Sequence, residues 1–342
     1  MRMKIVNYPF YEDFNPCTGH TRIASLSFPP ALFPVALQRK THKMKAPTVF
    51  CFFAAFYLVF SISDITVGQP NFKDNIKYSD VGGEELKLDL AQPSSGDGPF
   101  PLIICLHGGG WSAGHRNDVR WLLPQLTQHG YIAVTVSYRF APNYPMPAQI
   151  YDVKAAVCFL RANAVKYNID SDRIGVIGFS SGGHLAMMLA LTDHSDGLEG
   201  YVQCTSTKIQ AAVNFVGTGD FTNQSPPLSK EAEKVVQEYY HTTYNELRKG
   251  IFGTLDVNDP IYTITSPITY IDKNDPPILS LHGTEDEFIS SENARHFDQA
   301  MKNTGAQHEM VLYEGEGHHF SQETMKIAID KSFRFLDDQL KR

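Results

Sequence analysis

The residues best suited to chemistry form two short glycine-rich motifs and a late acid–base pair. Gly178-Phe179-Ser180-Ser181-Gly182 is the first motif. A serine hydroxyl is a weak nucleophile near neutral pH, so it must be presented on a base where a carbonyl can reach it. The apolar run before Ser180 reads as a strand and Gly183-His184-Leu185-Ala186 after it as a helix. The sharp turn between them accepts only small neighbours, hence the glycines on either side and Ser181 next to the nucleophile. The second motif is His107-Gly108-Gly109-Gly110-Trp111, directly after the apolar run Leu102 to Leu106. Its glycines let main-chain N–H groups approach a substrate. Gly109, Gly110 and Ser181 are the expected oxyanion donors, and His107 is expected to hold the loop.

A base and an orienting acid should follow the serine in the order Ser, Asp or Glu, His. Thr284-Glu285-Asp286-Glu287 follows the run Ile278 to Gly283, and Glu314-Gly315-Glu316-Gly317-His318-His319 follows the run ending at Tyr313. These positions select Asp286 and His318, with Glu285, Glu287 and His319 as the chemical competitors. Expected pocket-lining residues are Trp111, Phe179, Phe221, Tyr262 and His319. His184, four residues after Ser180, reads as a packed or hydrogen-bonded histidine, and Arg139 with Asp152 as a structural polar pair. No His, Asp or Glu group has metal-ligand spacing, so neither a metal nor another cofactor is expected.

The elements that must carry these motifs follow from the apolar pattern. Asn75 to Val81 and Leu86 to Ala91 flank the turn pair Gly82-Gly83 and read as a hairpin. Strand-length apolar runs recur at Pro101–Leu106, Tyr131–Tyr138, Arg173–Phe179, Ile209–Val216, Pro277–Leu281 and Glu309–Tyr313. Helical spacing fills Asp118–His129, Pro147–Ala164, Gly183–Leu191, Ser291–Asn303 and Gln322–Leu340. The alternation predicts an α/β fold: a mostly parallel eight-stranded sheet covered by helices on both faces. Gly217 to Asn274 interrupts it with apolar residues at helical spacing from Ala232 to Ile251, Ser229 being a candidate N-cap. This insertion is expected to form a small cap over the site.

The bulk properties agree with small-molecule chemistry. The chain has 342 residues, 42% hydrophobic and 20% charged, with a net charge of −7. No basic footprint suits nucleic acid or an anionic membrane. Residues 72–342 are read as one catalytic domain. From Met44 a positive start leads into the apolar run Val49 to Phe60, about 12 residues against the roughly 20 that span a bilayer. Residues 44–68 therefore read as a signal peptide and the protein as secreted or periplasmic, a membrane anchor being the alternative. Residues 1–43 read as disordered or as lying upstream of the true start. Cys105 and Cys158 read as small buried hydrophobes; with Cys204 they leave room for one disulfide at most.

His107 through Ala186, with Ser137-Tyr138-Arg139-Phe140-Ala141-Pro142 between the two glycine motifs, resembles the hormone-sensitive-lipase-like branch of the α/β hydrolases. The Trp that ends HGGGW and the lack of a long N-terminal helical cap resemble the bacterial group of bifunctional feruloyl and acetyl-xylan esterases (BD-FAE-like). The resemblance covers most of residues 75 to 340. It implies cofactor-free hydrolysis of carboxylic esters, short-chain or plant cell-wall acyl esters first among them, on a small-molecule or polysaccharide-linked substrate. The family often has Ala where this chain has Ser181, a change that keeps the N–H. Kynurenine formamidases share a similar fold but usually carry Tyr in place of Gly110. An amidase or peptidase on the same residues, and a catalytically inactive binding protein, are the competing classes. Oligomeric state does not follow from the sequence.

Overall fold

The computed structural model describes residues 70–223 and 228–341; the expected signal segment lies outside them. Eight strands form one sheet: β1 (Asn71–Val81), β2 (Glu84–Gln92), β3 (Phe100–Leu106), β4 (Ile132–Val136), β5 (Ile169–Phe179), β6 (Ala211–Phe215), β7 (Ile278–Gly283) and β8 (His308–Tyr313). Their spatial order is β1-β2-β4-β3-β5-β6-β7-β8. The β1–β2 and β2–β4 pairs are antiparallel, and every later pair is parallel. This is the α/β-hydrolase fold.

The helices are α1 (Leu122–Gln128), α2 (Ala148–Ala162), α3 (Ala164–Tyr167), α4 (Ser181–Leu191), α5 (Lys230–Tyr240), α6 (Tyr244–Phe252), α7 (Pro260–Ile264), α8 (Ser291–Thr304) and α9 (Gln322–Leu340). Residues alternate across β3, β5 and β7 between two buried layers. Leu102, Ile104, Val176 and Ile278 face the layer shared with α2, α4 and α8. Ile103, Cys105, Ile177, Leu279 and Leu281 face the layer under α1 and α9. Burial on both faces is why these strands lack a polar alternation. A central strand then ends where its helix begins, which brings the loops at the carboxyl ends of β3, β5, β7 and β8 to one edge.

Three expectations need correction. The apolar spacing from Ala232 to Ile251 is not one helix. Ser229 does cap α5, accepting from Ala232 N at 3.0 Å, but His241 closes it in a left-handed conformation and Thr243 with Glu246 opens α6 through a capping box. Cys158 is not merely a buried hydrophobe, because it is bonded to Cys204 and joins α2 to the segment between α4 and β6. The strand-length run Tyr131–Tyr138 is strand only over Ile132–Val136. Tyr138 beyond it turns its hydroxyl to the His107 carbonyl, 2.8 Å away. Arg139 and Asp152 form the expected buried pair, with Nη2 2.7 Å from Oδ1.

Among the described residues no helix is long and apolar enough to cross a membrane. Nor does any group of three or more His, Cys, Asp or Glu among them stand together as metal ligands.

Candidate active site

Ser180 stands in the turn between β5 and α4 with φ 53° and ψ −117°, a backbone region that costs a side-chain-bearing residue about 1–3 kcal/mol. The turn is over-determined by its surroundings. Ser180 N–H donates to the Phe215 carbonyl at 2.7 Å, and the Ser180 carbonyl accepts from His184 N at 3.0 Å. A Cβ on Gly178 would stand 2.0 Å from the Gly182 carbonyl oxygen, and one on Gly182 would stand 2.4 Å from that of Leu106. Both neighbours are backbone and cannot move aside. The glycines on either side of Ser180 are thus required by the close passage of β3, β5 and α4.

The loops after β7 and β8 bring the acid and the base to the serine. His318 Nε2 lies 2.9 Å from Ser180 Oγ, and His318 Nδ1 lies 2.8 Å from Asp286 Oδ2. The Asp286 side chain is buried, and its Oδ1 accepts from the N–H groups of Phe288 (2.9 Å) and Ile289 (2.8 Å). His282 Nε2 stands 3.3 Å from Oδ2 while donating to the Ile289 carbonyl at 2.7 Å. Burial pushes the Asp286 carboxyl up, yet the hydrogen bond from His318, the fields of His318 and His282 and the Ile289 N–H outweigh it. The carboxyl is held below its ordinary range. An ionised Asp286 accepts a hydrogen bond from His318 Nδ1–H, which keeps the hydrogen on Nδ1 and leaves Nε2 free to accept from Ser180.

Of the competing acids, Glu287 accepts the backbone N–H of His318 at 3.0 Å and so positions the loop rather than the ring. Glu285 does not reach the histidine ring; its N–H donates to the Glu316 carbonyl at 2.9 Å. His319 is exposed, its ring centroid 5.5 Å from that of His318.

The glycine loop after β3 folds back on itself. The Gly109 carbonyl accepts from Ser112 N (3.1 Å) and Ala113 N (2.9 Å), while the N–H groups of Gly109 and Gly110 take no partner among the described residues. Ser181 N–H opens α4, where no intrahelical acceptor exists for it. Gly109 has φ 119°, and a Cβ there would meet the Ala113 carbonyl oxygen at 2.1 Å, so that position is closed to any side chain. His107 holds its base as expected, stacking on Tyr138 at 4.3 Å with Nδ1 2.7 Å from the Gly108 carbonyl oxygen. Burial pushes its imidazole down to about 4.

The expected aromatic lining divides. Trp111 and Phe221 are in contact, with centroids 5.5 Å apart. Tyr262 is instead core: it is 1% exposed, stacked on Phe252 at 4.4 Å, and its hydroxyl donates to the Thr254 carbonyl at 3.0 Å. Phe179 packs on Phe215 at 4.5 Å in the layer beneath α1 and α9, away from Trp111. Aromatic type at a strand end signals burial on one face without saying which.

Two contributors lie outside the expected set. Tyr240, at the end of α5, sets its hydroxyl against Gly110, 2.7 Å from where a Cβ would stand. Burial raises its phenol, so it stays protonated. His184 hydrogen-bonds Trp111 and the Thr265 carbonyl. Helical spacing placed both on inward faces but could not name their partners.

Comparison with known proteins gives the family of the chain. Residues 88–301, more than half of the chain, match the BD-FAE family model. Esterase LipQ of Mycobacterium tuberculosis (strain H37Rv) is 30% identical over 66% of this chain and 52% of its own length. The probable isoprenylcysteine alpha-carbonyl methylesterase ICMEL1 of Arabidopsis thaliana is 25% identical over 77% of this chain and 55% of its own. The chain thus spans about half the length of these curated relatives. Among solved structures, a truncated carbohydrate esterase from gut microbiota superposes with a TM-score of 0.67 at 25% identity, over 81% of this chain and 99% of that one. With the matching family model spanning both glycine motifs and β2 through most of α8, the chain belongs to the BD-FAE family.

Proposed function

We propose that this protein is a serine carboxylic-ester hydrolase working through an acyl-enzyme on Ser180, with His318 as the base, Asp286 orienting it, and Gly109, Gly110 and Ser181 as oxyanion donors. The unbroken hydrogen-bonded line from Ser180 Oγ through His318 to Asp286 carries this reading. As Oγ bonds to the ester carbonyl carbon, its proton passes to His318 Nε2, and the carbonyl oxygen takes the negative charge into the loop N–H groups. Collapse of the intermediate breaks the bond to the alcohol oxygen, which leaves with the proton from Nε2. Water then gives a proton to Nε2 and attacks the acyl carbon, and the carboxylic acid departs as Ser180 recovers its hydrogen.

The substrates we assign are short acyl esters, those on plant cell-wall carbohydrate foremost. The gut enzyme above, a carbohydrate esterase at 25% identity, supports this reading. A secreted or periplasmic setting is supported by the Cys158–Cys204 bond, since such bonds persist in oxidising compartments. N-terminal sequencing of the exported protein tests the removal of residues 44–68.

Ser180→Ala should lower turnover of p-nitrophenyl acetate by about 10⁶-fold. A variant keeping a tenth of the activity would overturn the assignment of the nucleophile. A panel of acetyl to decanoyl esters, with acetylated xylan, a feruloyl ester and matched anilides, then ranks the acyl and leaving groups. Preference for the anilides would move the protein to the amidases.

A further inference from the structure

We propose that His184 and Trp111 form a latch that sets the oxyanion loop against the nucleophile helix, with His184 as a positioning residue for the ester hydrolysis inferred above.

Three chain segments meet on one imidazole. His184 stands in the first turn of α4, and its N–H already holds the Ser180 carbonyl at 3.0 Å. Its Nε2 lies 2.7 Å from the carbonyl oxygen of Thr265, just past α7 in the 217–274 insertion. A carbonyl can only accept, so Nε2 carries the hydrogen and Nδ1 is left as an acceptor. The Trp111 indole N–H meets that acceptor at 3.2 Å. The tautomer needed to hold the tryptophan is therefore imposed from the insertion.

What the tryptophan needs holding for is visible in its backbone. Trp111 directly follows Gly109 and Gly110 and has φ 55°, a conformation a bulky side chain rarely adopts without support. Its supports are the His184 bond, edge contacts with the rings of His184 (5.3 Å) and Phe221 (5.5 Å), and a bond from Ala141 N to its carbonyl at 3.0 Å. Both side chains are buried, and His184 is wholly so. With the side-chain bond broken, the peptide joining Gly110 to Trp111 can relax toward an ordinary φ. That relaxation turns the glycine N–H groups away from the site where the oxyanion forms. The Ala141 bond ties the loop to the segment after β4, and the latch is what ties it to α4.

The test compares His184→Leu, which removes the acceptor, Trp111→Phe, which removes the donor but keeps an aromatic ring, and His184→Asn, whose Oδ1 takes the place of Nδ1. Turnover of p-nitrophenyl acetate is normalised to sites titrated with a fluorophosphonate, and Tm is recorded beside it. Loss of one well-aimed oxyanion donor costs about 10²–10³-fold in kcat. A misaimed loop should therefore lose about 10–100-fold in kcat in the Leu and Phe variants, with KM changed less than about threefold. The double variant should be no slower than the slower single one, and Asn should recover most of the kcat. Should His184→Leu fail to fold, Trp111→Phe against His184→Asn carries the same comparison. The proposal is overturned if kcat per titrated site is unchanged in Trp111→Phe, if only KM moves, or if the two losses multiply. Failure of the underlying reading looks different: the wild-type protein would not label with the fluorophosphonate, or Ser180→Ala would match it in turnover.

Discussion

Asp286→Asn keeps size, shape and burial while reversing one hydrogen bond. The structure fixes which way the new amide must face. Oδ1 of Asp286 accepts two backbone N–H groups, from Phe288 at 2.9 Å and Ile289 at 2.8 Å. An amide turned over would set its NH₂ against both donors, so the amide oxygen stays there. The NH₂ then occupies the place of Oδ2, 2.8 Å from His318 Nδ1, and donates to it. His318 is driven to carry its hydrogen on Nε2, facing Ser180 Oγ at 2.9 Å, where it cannot take a proton. An error of this kind in the tautomer costs about 10⁴ in kcat, or about 5.4 kcal/mol of barrier. Stability should fall far less, since only one contact changes sign. The assay is kcat on p-nitrophenyl acetate per folded molecule, with Tm as the control. An Asn variant that keeps more than a hundredth of the wild-type kcat would refute the assignment of Asp286 as the residue that orients the base.

Two further outcomes concern stability. The Cys158–Cys204 bond closes a loop with a sequence separation of 46. On a chain-entropy estimate, Cys158→Ser with Cys204→Ala should lose about 4 kcal/mol and about 10 °C in Tm. Calorimetry with and without a reductant checks this, and a Tm that reductant does not move would refute it. The second outcome is acid sensitivity. His107 and His184 are held neutral by burial, each pushed from 6.5 down to about 4. In the unfolded chain they take up protons as pH drops below 6.5; in the folded protein they do so only near 4. Their contribution to stability is therefore complete above pH 6.5 and is lost as pH falls through that window. The slope near pH 5 should reach about 2.4 kcal/mol per pH unit for the pair. Urea unfolding at pH 7 and pH 5 measures it, and a flat profile would contradict the burial of these two rings.

Much of the site was readable because its requirements are local. A strand that turns straight into a helix around a serine permits only small residues nearby, and a loop that offers N–H groups permits only glycine. Gly178, Gly182 and Gly109 show why: each would drive a Cβ to 2.4 Å or closer to a backbone carbonyl. Such constraints leave a mark in a few adjacent letters. The choice of Asp286 over its neighbours needed only position within a short loop, and the structure gives Glu287 the different task of holding the His318 backbone. The four long helices outside the insertion, α2, α4, α8 and α9, and all eight strands were legible for a related reason, their apolar period being set by the layer each must face; the helix expected over Asp118–His129 is shorter, Leu122–Gln128.

What could not be read depends on pairing across distance. Cys158 fits the apolar stripe of α2 as well as any small hydrophobe would, and its partner lies on another element, so composition alone cannot distinguish a bond from a packed thiol. His241 breaks the insertion helix by adopting a left-handed cap, which the apolar period runs through without a sign. Phe179 and Tyr262 have the right type and the right end of the sheet, but a residue's face depends on the register of its neighbours. Trp111 and His184 extend this point to function. Each motif places its aromatic ring on its own, 73 residues apart in the chain, and only the folded sheet brings the indole N–H to the imidazole nitrogen. The glycines specify that an oxyanion loop can exist; the aim of its N–H groups is set by a hydrogen bond whose acceptor is in turn fixed by Thr265 from the insertion. Sequence changes within 217–274 can therefore alter turnover without touching Ser180, Asp286 or His318, because the insertion controls the tautomer on which the loop is hung.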